Sequence, residues 1–349
     1  MNAGALDAAI ERVRAARDAG VGWLRRHAAD DGMPVGALER NGWARVPWAL
    51  AISGESELAA RVIAWAERGQ LAPDGGFAPG PALGAGRFGA YPLAHFAIGA
   101  WLNERFATSL AAMNALRNMQ DPTTGGFAIA PVADRATDIC DLLSTAQAGL
   151  AAVITGQDDI ADLCWHWVAD LAAAQPADAE TRFFTFRRGS ALLIEPEPSL
   201  TWLAITDFSQ PRQTFYTPGM AAAFLAAHAQ RRGIEAPLDL ARRLLCFNIE
   251  GCAEQFDDPG SVQICKFGWG AAAMLVADPA GEWLPHVARM GEWFIAHQEA
   301  DGAWVPSSFL VPSPSDIDRL VKTAEHVMEI NAILSALGTA RGRLAAEEK

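Results

Sequence analysis

No two of the five cysteines form a CxxC pair. They stand at 140, 164, 246, 252 and 265, a scatter that argues against a disulfide framework or a zinc ribbon. Basic residues are also scarce: 28 Lys and Arg stand against 41 Asp and Glu, for a net charge of −13. So acidic a chain is a poor partner for nucleic acid or an anionic membrane surface. No apolar run approaches the roughly 20 residues of a membrane span. Residues 6–23 read as an amphipathic helix without a signal peptide's apolar core, so the expectation is a cytoplasmic protein with no integral membrane segment. P-loop, HExxH and GxSxG patterns are missing. Gly84-Ala85-Gly86-Arg87-Phe88-Gly89 fits GxGxxG but follows no strand, so it reads as a loop leading into a helix, and no cofactor is called for. Only two tyrosines occur, Tyr91 and Tyr216, against 12 Trp and 16 Phe.

What is present is a repeat. Gln120-Asp121-Pro122-Thr123-Thr124-Gly125-Gly126-Phe127 has counterparts in Gln70 with Gly75-Gly76-Phe77 and Gln298 with Gly302-Ala303-Trp304. Trp23 and His27 run into Asp31-Gly32 in the same shape, with His27 in the glutamine's place. Such self-similarity marks a repeat architecture. A helix ends where glycine takes an open conformation, the glutamine bonds to the backbone beyond, and the aromatic packs back: each copy is a staple between helices.

Between the staples lie six apolar helices, at 43–54, 91–103, 138–156, 216–231, 263–277 and 323–338, each suited to burial on all sides. Six more amphipathic partners follow at 55–68, 104–119, 159–174, 237–248, 283–297 and, for closure, 6–26. This predicts an all-α (α/α)6 barrel of six inner and six outer helices, one domain over 1–349. The fourth and fifth copies have lost the Gly-Gly-aromatic turn. The apolar segment 182–213 between them reads as an insertion covering one mouth.

The Gln-x(4)-Gly-x-aromatic ending of the outer helices resembles the QW-type repeat of the terpenoid cyclase and protein prenyltransferase superfamily. The resemblance spans nearly the whole chain and implies a barrel whose site lies near the N-termini of the inner helices. Thr137-Asp138-Ile139-Cys140-Asp141 resembles the DxDD motif of class II terpene cyclases, with Asp138 and Asp141 at the first and last positions and Cys140 in place of the middle acid. The same residues resemble the Asp-x-Cys zinc pair of prenyltransferase β-subunits, whose third ligand, a His, is replaced by Thr217. No metal is assigned.

Asp138, Asp141 and Thr145 are spaced to share one helix face; lining an apolar cavity, such carboxyls would have raised pKa values and donate protons. As caps, Asp138 and Asp141 would instead favour the helix start. Tyr91 and His95, one turn apart, make a candidate base; a satisfied core histidine is the plain alternative. Trp43, Phe215, Tyr216 and Trp269 are the candidate aromatic lining. Cys265 and Lys266 open a helix with Gly268 and Gly270, whose glycines admit either a ligand or a close helix. Lys322 and Glu325 read as a solvated first turn, while His326 and Glu329 precede an apolar face and are candidates for substrate contact. Cys140 and Thr145 complete the set, and Arg45, Arg87 and Lys266 are candidates for anion contact.

The resemblance implies an enzyme that binds an apolar, isoprenoid small molecule and performs proton-initiated cyclisation, isomerisation or elimination. Carboxylate-pair carbohydrate chemistry on an (α/α)6 barrel and a non-catalytic lipid- or partner-binding barrel are the rival readings.

Overall fold

A computed structural model describes residues 1–78, 87–130 and 139–347. Along the chain, α1 (Ala3–Arg26) precedes a 3-10 turn (Asn41–Arg45) that runs straight into α2 (Val46–Ala51). Then follow α3 (Ser56–Gly69), α4 (Ala90–Leu102), α5 (Phe106–Met119), the strand β1 (Ile139–Asp141), α6 (Leu142–Thr155) and α7 (Asp158–Ala173). The stretch up to α9 holds β2 (Arg182–Phe184), β3 (Phe186–Arg188), β4 (Ala191–Leu192), the short α8 (Thr201–Ala204) and β5 (Ile205–Asp207). The rest is α9 (Thr217–Arg232), α10 (Ala236–Glu250), the short α11 (Glu254–Asp257), α12 (Cys265–Ala277), α13 (Leu284–Ala296) and α14 (Asp316–Glu347).

The helices form a closed double ring, an (α/α)6 barrel. Inside, α2 packs on α4, α4 on α6, α6 on α9, α9 on α12 and α12 on α14, which returns to α2 and the 3-10 turn. Outside, α3, α5, α7, α10, α13 and α1 pack on α2, α4, α6, α9, α12 and α14 in turn. An inner helix has neighbours on every side, so α4 is buried without a break from Ala90 to Ala100. Its composition follows from that: small and apolar residues let backbones approach where no face meets water.

The staples act between neighbouring outer helices. Gln120 Nε2 donates to Gly125 O at 2.9 Å within its own turn and to Ile160 O of α7 at 3.4 Å. Gln298 Nε2 donates to Gly302 O and to Ala16 O of α1, both at 2.9 Å. Gly125 and Gly302 have φ of 83° and 94°, a region that favours glycine. A Cβ on either would also lie 2.4 or 2.5 Å from a carbonyl oxygen of the next outer helix. The inner ring is tied in as well: Thr145 Oγ1 accepts from Phe127 N at 2.9 Å, and Thr323 Oγ1 from Trp304 N at 3.0 Å.

Two expectations need correction. The helix expected over 138–156 starts only at Leu142, because Asp141 is its N-cap, with Oδ2 accepting from Ser144 N at 2.9 Å. Ile139–Asp141 is extended and pairs antiparallel with β3, which in turn pairs with β4. Asp141 is therefore extended and does not share a helix face with Thr145; Asp138 lies outside the described residues, as do 84–86 of the GxGxxG stretch. The second correction concerns α14, which begins at Asp316 rather than 323. Lys322 and Glu325 are thus well inside the helix and not in a solvated first turn. Segment 182–213 folds as β2 paired with β5, plus β3 and β4; Phe186, Leu200 and Ala204 form a small apolar cluster with Ile129 and Ile139.

Candidate active site

The N-terminal parts of the inner helices bring a set of charged side chains together inside the ring. Glu325 of α14 is the hub. Its Oε1 accepts from Tyr91 Oη of α4 at 3.3 Å and pairs with Lys266 Nζ of α12, while its Oε2 pairs with Lys322 Nζ at 2.6 Å. Lys266 Nζ also lies 3.6 Å from Glu329 Oε1, one turn further along α14. Its ammonium sits 5.4 Å from the Tyr216 ring centre and 6.0 Å from that of Tyr91. The Arg45 guanidinium, from the 3-10 turn, lies 5.0 Å over the Tyr91 ring. Tyr91, His95, Lys266, Glu325, His326 and Glu329 are all buried.

Burial without water makes the pairing decide each charge. Burial opposes ionisation of Glu325, but Lys266, Lys322 and Arg45 outweigh it and hold this carboxyl well below the usual range. Burial likewise opposes charge on Lys266 and Lys322, yet Glu325 keeps both ammoniums above the usual lysine range. Glu329 goes the other way. Burial, with the nearby Glu325 charge, raises it to about 7 against the pull of Lys266. Its oxygens have no donor beyond the weak thiol of Cys265. Asp141 is raised to about 6 by burial, partly offset by its cap bonds to Ser144, and its charge acts on the Tyr216 hydroxyl. Burial and Arg45 hold His95 well below the usual histidine range. His95 Nδ1 bonds to the Tyr91 carbonyl at 2.8 Å, so the neutral ring donates there and leaves Nε2 as an acceptor without a partner. Burial pushes the Tyr91 hydroxyl up, and it serves as a donor to Glu325.

The other residues singled out in the sequence are placed elsewhere. Trp43 packs edge-on to Trp65, Phe77 and Phe96 with ring centres 5.1 to 5.6 Å apart, between the rings of helices and away from the charges. Phe215 packs on Phe208 of the 182–213 segment. Cys140 lies on β1 beside Gly126, and the Thr145 hydroxyl is taken by the staple. His326 sits among Trp293, Phe294 and Trp304, with Nε2 3.9 Å from Glu329 Oε2. Gly268 faces Met290 and Ile333, and Gly270 faces the Gly219 backbone of α9, so these glycines serve helix packing. Arg87 is exposed.

Cys265, Glu325 and His326 bring donor atoms within 4.8 Å of one another. The set does not suit a cation. Both Glu325 oxygens are held by ammonium groups, and those two positive charges would stand beside any bound cation.

At the other end of the ring, near the C-terminal half of α14, a cavity of about 680 Å³ is lined by Ile10, Ile52, Trp48, Trp269, Met328 and Leu334, with Arg14, Arg17 and Arg341 among its polar residues. Trp48 and Trp269 meet edge to face at 5.5 Å. The Trp48 ring is also 5.5 Å from His95, and Trp269 is one turn beyond Lys266. The two tryptophans thus stand between the cavity and the charges.

No protein-family model and no curated protein matches the chain. Solved structures do. A D-mannose isomerase is 12% identical with a TM-score of 0.63, the match covering 95% of this chain and 97% of that one. The type II terpene cyclase MstE from Scytonema, without ligand, is 12% identical with a TM-score of 0.56, over 94% of this chain and 99% of that one. The GH76 α-mannanase BT2949 from Bacteroides thetaiotaomicron is 11% identical with a TM-score of 0.58, over 83% and 85%. These neighbours are toroid enzymes of different chemistries, and what they share with this chain is the fold.

Sequence reasoning gave Lys322 and Glu325 too little weight and passed over Gln147. Gln147 is fully buried with neither amide atom bonded. A usable signal was present. Thr145 and Thr323 occupy matching places relative to their staples, and Gln147 and Glu325 each lie two residues later, about 200° around the helix and so toward the interior.

Proposed function

We propose that this chain is an enzyme that protonates a largely apolar, isoprenoid-like substrate and lets the resulting cation cyclise, isomerise or eliminate. The observation that carries the reading is Glu329: a fully buried carboxyl, raised to about 7, with no hydrogen-bond donor beyond the weak Cys265 thiol. A carboxyl so placed carries its proton near neutral pH and can deliver it to a bound double bond, with the Lys266 ammonium 3.6 Å away to stabilise the carboxylate left behind. Asp141, near 6, is the second protonable carboxyl. Trp48 and Trp269 offer ring faces to a cation, and Nε2 of the neutral His95 is an acceptor for the proton lost at the end. The cavity beyond Trp48 and Trp269, lined by apolar side chains and three arginines, has the size of a small-molecule site. Fold neighbours that include a terpene cyclase agree with this reading.

The test is incubation with squalene, isoprenoid alcohols and isoprenoid diphosphates, with and without EDTA, followed by gas chromatography with mass detection. Turnover should survive EDTA and fall by about 10² to 10⁴ in Glu329→Gln or Asp141→Asn, the range of a lost general acid. Unchanged turnover in both variants sinks the assignment.

A further inference from the structure

Among the described residues, Arg45 is the one participant in the buried cluster whose charge has no carboxylate of its own. It is 6% exposed. It forms no ion pair among the described residues, and its Nε and Nη1 have no hydrogen-bond partner. Glu325, the carboxylate held firmly ionised nearby, already serves Tyr91, Lys266 and Lys322. Glu329 faces Lys266 and His326. Arg45 contacts the face of Tyr91 and feels the Glu325 charge only from beyond ion-pair distance, interactions much weaker than a bidentate pair with an anion. A guanidinium withdrawn from water and left with open donors is costly.

We infer that Arg45, backed by Lys266 and Lys322, binds an oxyanion carried by the substrate, a carboxylate or a phosphoryl group, inside the ring. The planar guanidinium presents two parallel N–H donors that match two oxygens of either group. Lys266 and Lys322 add positive charge where little water screens it. The net charge of −13 makes this cationic interior stand out further: it is built against the composition of the whole chain. From the proposed function the inference takes only that substrate binds in the cluster. It adds that the ligand is an amphiphile with one anionic end.

The test is calorimetric titration of the full chain with sodium acetate, phosphate and diphosphate at constant ionic strength, alongside thermal melting of Arg45→Met and Arg45→Lys. Wild type should bind at least one probe saturably, and Arg45→Met should bind it at least tenfold more weakly while melting at or above the wild-type temperature. Arg45→Lys should fall between the two in affinity. A response to acetate alone assigns a carboxylate, to the phosphates alone a phosphorylated substrate, and to all three an oxyanion site without selectivity. Wild type that saturates with none of the probes, or Arg45→Met that binds as wild type does, overturns the inference. So does an Arg45→Met variant that melts well below wild type, since Arg45 would then be a structural residue. Because the readout is binding, saturation without turnover of any isoprenoid would remove the proposed reaction and leave the anion site standing.

Discussion

Gln120 and Gln147 are both buried glutamines on this barrel, yet they live under opposite rules. The Gln120 amide bonds to its own turn and to the next outer helix, while neither Gln147 amide atom touches a partner. The contrast extends to their surroundings. In the staples, Gln298, Thr145 and Thr323 also have their bonds. Toward the interior, Arg45, His95, Glu329 and Gln147 retain polar atoms that nothing satisfies. Buried polar groups are normally paired; unpaired atoms occur elsewhere too, at Trp167, Arg187 and His228, but those of Arg45 and Glu329 stand beside the buried Lys266–Glu325 pair, where water or ligand belongs. The staples make the ring; the interior waits for what the ring encloses.

The strongest way to break this contrast is through Glu325, an interior group with partners on both oxygens. Glu325→Gln leaves Lys266 and Lys322 buried without their carboxylate, and removing one partner of a buried charge group costs about 3–5 kcal/mol. Urea denaturation should show that loss. A change below about 1 kcal/mol would mean that the two ammoniums reach water and that the cluster is not sealed.

How far the sequence disclosed these two regions follows from which signals are local. The staples were legible because glutamine, glycine and aromatic fall within eight residues, and the six-plus-six count of helices followed from their spacing. The site was legible only in pieces. Tyr91, Lys266 and Glu329 stood out as polar residues near the starts of apolar helices, but nothing in the chain says that α4, α12 and α14 turn them toward one point. Glu325 was misjudged because α14 begins seven residues before its apolar stretch, under Ser315 bonds to Asp318. The strand at Ile139–Asp141 escaped notice because its partner, Phe186–Arg188, is remote in sequence.

A smaller effect separates the interior by pH. Glu329 is raised to about 7, so the folded state holds this proton more tightly than the unfolded chain does. Its contribution to stability is complete below the ordinary glutamate range and is lost as pH rises through about 7. Each tenfold gain in proton affinity on folding is worth about 1.4 kcal/mol, so the wild type should lose a few kcal/mol at most between about pH 5 and pH 8 from this group. Glu329→Gln should flatten that slope, with Asp141 contributing a weaker trend of the same sign. Equal slopes in wild type and variant would show that Glu329 titrates as an exposed acid does.

The smallest effect is the sharpest, because it compares like with like. Gln120→Leu and Gln147→Leu each replace a buried amide by an apolar group of similar size. In the staple the change strands the Gly125 carbonyl, and a buried group left unsatisfied costs about 1–3 kcal/mol. In the interior the change removes an amide that has no partner, and with it the desolvation that amide suffers. Gln147→Leu should therefore be neutral or slightly stabilising in the ligand-free protein. If both variants lose the same stability by urea titration, Gln147 has partners of its own and the distinction between staple and interior fails at this position. If only Gln120→Leu does, the amide of Gln147 is held there at a cost to the fold, for the water or ligand that the ring encloses.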